Sequence, residues 1–216
     1  MRIGRARWVA VLGALSLAAC GGDDGSGDEE EEEQAVTRPG LGRSTQAPRG
    51  TPVALPAQVS VESPFEGSEG AACGTDDGTT FGAGWEVSVC LPVTNAAEEA
   101  QELVLPCGTV LVSQTPGVQN GLLLQRTVLP LAPGATRTFP LFSFCANEER
   151  TPSHANARYV LGPVTDDEDV QELCELLADK DLGENGADVQ DLLWHITEAS
   201  GLTDDDRALI RAMTAR

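Results

Sequence analysis

Near residue 165 the hydrophobic pattern changes period, and that change constrains the fold more than any other feature of the chain. Before it, apolar residues alternate with polar ones. Trp85, Val87, Val89, Leu91 and Val93 share one side of a segment whose other side carries Glu86, Ser88 and Cys90, the pattern of a half-buried strand. Val59 and Val61 begin the series. Further apolar runs lie at 103–105 and 110–112, on either side of Pro106-Cys107-Gly108, and then at 122–131, 136–144 and 159–161. A loop rich in Gly, Thr and Asp spans 67–84, and Pro133-Gly134 marks a turn.

After residue 165 the period becomes helical. Thr165-Asp166-Asp167-Glu168 reads as a capping box, and Val170, Leu173, Leu176 and Leu177 follow on one helical face. Residues 183–186 break that helix. A second starts at Ala187 or Asp188, groups Val189, Leu192, Leu193 and Ile196, and ends before Gly201. Thr203 caps a third, with Asp204, Asp205 and Asp206 in its first turn and Leu209, Ile210 and Met213 on its apolar face. The expectation is an α+β chain: an immunoglobulin-like β-sandwich over 58–164, followed by a small three-helix part over 165–216. The Cys…Trp…Cys frame of antibody domains is not evident, since Trp85 falls soon after Cys73 and just before Cys90.

The start of the chain is of another kind. Arg2, Arg5 and Arg7 precede an apolar run over 8–19. The run is shorter than the roughly 20 apolar residues that span a bilayer, and a basic start, a short apolar stretch and a small-residue end mark a secretory signal. Leu17-Ala18-Ala19-Cys20 resembles the lipobox of bacterial lipoproteins. The resemblance implies that residues 1–19 are removed as a signal peptide and that Cys20 carries the lipid, palmitate included. Each buried lipid CH₂ contributes roughly 0.8 kcal/mol, so two or three acyl chains anchor stably. Beyond Cys20, the run 21–33 is almost entirely Gly, Asp and Glu, and 34–57 holds Pro39, Pro48, Pro52 and Pro56. The expectation for 20–57 is a disordered tether of about 30–35 Å end to end. Acids just after a lipidated cysteine loosely resemble a surface-export signal. They point to the outer membrane or cell surface of a Gram-negative bacterium.

A net charge of −20 over 216 residues excludes nucleic acid as a partner. The partners expected are the membrane, through lipid on Cys20, and a protein at the cell surface. With Cys20 lipidated, Cys73, Cys90, Cys107, Cys145 and Cys174 remain, an odd number. In an oxidising compartment they pair as far as they can, so two intramolecular bridges and one leftover thiol are expected. Spacing leaves the connectivity open, a Cys145–Cys174 pair included.

Enzyme signatures are missing. The chain has no Gly-x-Ser-x-Gly elbow, no phosphate-binding loop and no dinucleotide-binding glycine pattern. His154 and His195 are its histidines and no Cys-x-x-Cys occurs, so no zinc site, catalytic residue or cofactor is assigned. The loop 179–186 is rich in oxygen ligands but fails the EF-hand pattern, with Gly183 in a ligand position and Leu192 where a bidentate Glu belongs.

One constellation points elsewhere. Phe144-Cys145, Pro152, Tyr159 and Val189-Gln190-Asp191-Leu192-Leu193-Trp194 resemble the layout of thioester domains in Gram-positive surface adhesins. There an aromatic-Cys ends a strand and a Gln opens a helix. The resemblance implies that Cys145 and Gln190 condense to an internal thioester that captures amines. It departs from that family where Val189, rather than Thr, precedes the Gln. Two functions follow. One is a lipid-anchored, disulfide-stapled binding or structural domain that is not an enzyme. The other is an adhesin-like domain with a Cys145–Gln190 thioester.

Overall fold

The computed structural model describes residues 38–70, 73, 78–198 and 201–216. Residues 1–19, expected to be a signal peptide, Cys20, expected to carry lipid, the acidic run 21–33 and the first residues of the proline-containing linker lie outside the described residues. No described helix is long and apolar enough to cross a membrane.

The fold is α+β and mostly strand, and its strands close into a barrel. β5 (Val87–Asn95) is central, with Val87, Val89, Leu91 and Val93 fully buried. On one side it pairs antiparallel with β2 (Val59–Val61) and β3 (Phe65–Ser68). On the other it pairs with β10 (Thr136–Cys145), from Thr136↔Thr94 to Ser143↔Val87. β3 pairs with β11 (Arg158–Thr165), β11 with β7 (Thr109–Ser113), and β7 with β8 (Gly121–Leu122). β8 joins the last residues of β10, Phe144↔Leu122 and Cys145↔Gly121. The ring β5–β3–β11–β7–β8–β10 thus returns to β5 with six strands. The expected immunoglobulin-like sandwich is two open sheets; here closure through β10 removes the free edges that such sheets leave. Short alternating strands suit either architecture, and the choice is made by pairings between segments distant in sequence.

The remaining strands sit around that ring. β1 (Gly50–Pro52) pairs with the end of β11, and β4 (Phe81–Gly82) runs parallel to β10. β6 (Gln101–Leu105) and β9 (Thr127–Leu131) form a separate two-stranded sheet. The run expected as one strand over 122–131 is therefore two, β8 and β9, in different sheets. The bend at Pro106 likewise carries the chain from the small sheet into the barrel.

Two apolar cores result. One joins Val87, Val89, Leu91 and Val93 with Phe139 and Leu141 of β10 and with Leu103, Leu105, Leu129 and Leu131 of the small sheet. The other joins Val110, Leu122 and Phe144 with the helices. Neighbours such as Val110 and Leu111 go to opposite cores, because successive strand side chains point to opposite faces. β7 and the end of β10 are covered on both faces, so they read as continuous apolar runs.

α1 (Glu168–Leu177) starts two residues later than the capping-box pattern suggests. Its cap is Asp167, which accepts from the Val170 N–H at 3.1 Å. Thr165 ends β11 and accepts from the Asp167 N–H instead. α2 (Gly186–Glu198) follows. Trp85, expected on the buried face of a strand, precedes β5 and is 51% exposed. Its ring lies over Gly186, where a Cβ would come within 2.7 Å of it, so only glycine admits that contact. α3 (Asp204–Ala212) has Thr203 as its cap, and Asp206 closes the box. Ile210 and Met213 of its expected apolar face are buried, whereas Leu209 is exposed. The Arg207 guanidinium forks onto Glu172 at 2.6 and 2.8 Å and ties α3 to α1.

From Arg38 onward the expected tether is part of the domain. Leu41 is 1% exposed within the helix-side core, and Arg38 is 6% exposed. Arg38 holds Asp167 through two bonds at 2.7 and 2.8 Å and also pairs with Asp169. One buried Leu and one buried Arg among prolines and glycines carry no periodic signal, which is why composition alone reads this stretch as linker.

Candidate functional site

Two disulfides staple the domain. Cys73–Cys90 closes a span of 17 residues onto β5, and Cys107–Cys174 closes 67, joining the bend before β7 to α1. Chain-entropy arguments assign them about 3 and about 4 kcal/mol respectively. Cys145 is left as a buried free thiol, so the Cys145–Cys174 pairing kept open above does not occur.

Cys145 is the last residue of β10. The next residue, Ala146, donates its N–H to Asn120 O at 3.0 Å on the β8 side. Backbone groups alternate sides along a strand, so those of Cys145 face the other way, where β5 has already ended at Val87. A buried peptide with no strand beside it needs another partner. Gln190 supplies it. Its Oε1 accepts from the Cys145 N–H at 2.8 Å and its Nε2 donates to the Cys145 carbonyl at 2.9 Å. The carboxamide thus stands in for a missing strand residue.

Gln190 is the fifth residue of α2, one turn in from Gly186, rather than the residue that opens the helix. It is 3% exposed and Cys145 is 0% exposed. α2 is docked on this end of β10 by Val189, Leu193 and Ile196, which share a core with Phe144 and Ala146. Strand end and helix therefore bring together two residues 45 apart in sequence. Tyr159 is buried nearby and donates its hydroxyl to Gln119 O at 3.1 Å. Pro152 is exposed and takes no part.

Burial pushes the Cys145 thiol up to about 11, against the Asn147 backbone N–H and the Trp194 indole, while Glu86 and Glu198 raise it further. Burial, with a smaller effect of Cys145, also raises the pKa of Tyr159. The Trp194 indole N–H is buried without a hydrogen-bond partner, and the thiol whose pKa it lowers is its neighbour. On its outer side Trp194 lines a groove of about 460 Å³ with Glu148, Asp188, Asp191 and Glu198. A roomier groove, about 830 Å³, lies between the 48–55 segment and Leu161–Pro163, and neither Cys145 nor Gln190 lines it.

His195, on the outer side of α2, places Nδ1 3.1 Å from Asp206 Oδ1. Asp181 accepts from the N–H groups of Gly183 and Glu184, so its carboxylate serves its own loop.

The arrangement at Cys145 bears on acyl chemistry. The N–H that holds Oε1 polarises the carboxamide carbon and stabilises negative charge developing on that oxygen, as an oxyanion hole does. The Cys145 thiol, a group that can serve as a nucleophile, belongs to the residue that supplies this N–H. The sequence signal for the site is the aromatic-Cys and Gln-x-Leu-Leu-Trp pairing. The contributions of Asn147, Asn120 and the 38–44 segment had no such signal. No family model matches the chain, no curated protein matches it, and no solved structure matches its fold.

Proposed function

We propose that this protein is a lipid-anchored envelope protein whose barrel domain carries an internal thioester between Cys145 and Gln190 and captures amines with it. One observation carries this reading: two disulfides leave Cys145 as the free thiol, and the Gln190 carboxamide is bonded at both ends to the backbone of that same residue. In the condensation the Cys145 sulfur bonds to the Gln190 carboxamide carbon. The carbon–nitrogen bond breaks, and ammonia leaves with the thiol proton. No oxidant or cofactor is needed. An amine then attacks the thioester carbonyl, forms an amide at Gln190 and returns the thiol to Cys145. The protein ends bound to its target, so the event is a single capture and not turnover. A strongly acidic surface concentrates protonated amines such as lysine side chains around the domain.

The lipobox at 17–20 and the acidic run after it support a position on the outer membrane or cell surface, with the membrane partnered through Cys20. An intact mass of the exported protein tests the site. It should fall one ammonia below the mass corrected for two disulfides, and methylamine should add to Gln190 and release one thiol.

A second reading rests on the same bonds. The fit of the carboxamide to the Cys145 peptide is sufficient reason for a buried Gln, and the protein is then a disulfide-stapled binding or structural module. A full disulfide-corrected mass and no reaction with methylamine would decide for it.

A further inference from the structure

The segment that leads into the domain is seated on both halves of the Cys145–Gln190 junction. Gly42 donates its N–H to Ala146 O at 2.8 Å, one residue beyond Cys145. Asn147 donates from Nδ2 to Gly42 O at 2.7 Å and Gly40 O at 3.4 Å. Asn120, beside the end of β10, donates to Gly40 O at 2.8 Å. On the α2 side Gly42 has φ +54°, and a Cβ there would lie 2.2 Å from Thr197 O. Between these contacts Leu41 enters the core that holds Phe144, Ala146, Val189 and Leu193.

The rest of the segment is fastened by polar groups at its ends. Arg38 grips Asp167 and Asp169 at the start of α1. Arg150 donates to Ser44 O at 2.7 Å, and Arg43 reaches Glu149 at 2.7 Å and Glu198 at 3.7 Å. The segment has no ladder to a strand until β1, at Gly50. Its hold is one apolar side chain, one buried guanidinium and a few bonds to loop and helix-end backbone. Segments held in this way open locally at a lower cost than core strands.

We infer that residues 38–44 are a removable strap that controls access to the Cys145–Gln190 junction. The inference rests on the reading of that junction as the working site. Strap docked, the junction is closed to an amine. Strap lifted, Ala146, Asn147 and the end of α2 lose their cover while the barrel, both disulfides and the Cys145–Gln190 junction stay intact. Chain order makes the strap the first described segment met by a pull transmitted from Cys20.

The test compares the exported chain with its Arg38→Ala and Leu41→Ala variants, and with Thr203→Ala as a destabilised control away from the strap. All are treated in parallel with methylamine and with iodoacetamide, and adducts at Gln190 and Cys145 are counted by mass. A thioester is read by methylamine uptake and a free thiol by iodoacetamide uptake. Failure of the thioester reading therefore appears as a change of reagent, not as loss of signal. Either strap variant should speed adduct formation at the junction on the order of tenfold, the response to losing about 1.4 kcal/mol of strap docking, and the control should not. Rates equal to wild type in both variants, or an equal acceleration in the control, overturn the inference. Hydrogen exchange in the unmodified protein decides the matter if both variants unfold. The Leu41, Gly42 and Ser44 amides should exchange well before those of β10, and exchange of both sets together, at the rate of global unfolding, overturns it.

Discussion

Around β5 the chain is held by ladders, whereas around the end of β10 it is held by single side chains that arrive from distant parts of the sequence. In the first region, β5 has eight paired positions with β10 on one side and β2 and β3 on the other, and alternate residues fill the core. In the second, β8 contributes two residues. The remaining work falls to the Cys107–Cys174 bridge, the Gln190 carboxamide, Leu41 and Arg38. A ladder spreads its stability over many equivalent bonds. A keystone arrangement concentrates it in a few, and each of those can be broken, opened or made reactive by itself. The candidate chemistry lies in the second region.

The bridges make the first comparison. Replacing Cys107 and Cys174 together by Ser should lower unfolding free energy by about 4 kcal/mol, and the same change at Cys73 and Cys90 by about 3 kcal/mol. The longer closed loop, 67 against 17 residues, and the lack of ladders around α1 both put the larger loss on the helix side. Urea unfolding of the two double variants measures this. A larger loss at Cys73–Cys90 would mean that the β5 region, not the helix side, depends on its staple.

Gln190 comes next. Changing it to Ala leaves the Cys145 N–H and carbonyl buried and unpaired, and a buried polar group without a partner costs about 1–3 kcal/mol. A total on the order of 3 kcal/mol is expected by thermal or urea unfolding, although alanine itself favours the helix. An unchanged midpoint would show that water or a neighbouring group replaces the carboxamide, and the keystone description of β10 would fail.

The two regions also differed in how much could be read from the sequence. The alternation of Val87, Val89, Leu91 and Val93 gave β5, and the helical spacing of Val170, Leu173 and Leu177 gave α1, because repeated burial on one face leaves a period. Ring closure leaves none. Nothing in Phe144-Cys145 announces Leu122-Gly121 as its partner, so strands that build a barrel carry the same pattern as those of a sandwich. Cys145 and Gln190 were legible only as a pair of short motifs, and their contact depends on how α2 docks. Arg38 and Leu41 were illegible: each acts once, in a stretch whose prolines and glycines otherwise resemble linker. Thr165 misled for a local reason, since Asp167, two residues on, also caps well and β11 claims Thr165.

The smallest effect tests the comparison where the second region resembles ordinary helix chemistry. The Thr203 hydroxyl accepts from the Asp206 N–H at 3.2 Å, while the Asp206 carboxylate accepts from the Thr203 N–H and hydroxyl at 2.8 Å. Thr203→Ala should cost about 1 kcal/mol, the usual value of a cap. Burial opposes ionisation of Asp206, but the Thr203 backbone, the Thr203 hydroxyl and the His195 ring outweigh it, so its pKa lies below the ordinary carboxylate value. A carboxylate with a lowered folded pKa stabilises fully above its unfolded pKa and loses that contribution as pH falls through the folded value. The wild-type protein should therefore lose stability on acidification below about pH 4. Asp206→Asn, which cannot ionise, should lose less over the same range. Parallel thermal midpoints from pH 7 to pH 3 provide the measurement. Equal slopes for the two proteins would mean that acid acts on other carboxylates, with Glu172, held below its ordinary value by the Arg207 guanidinium, the first to examine.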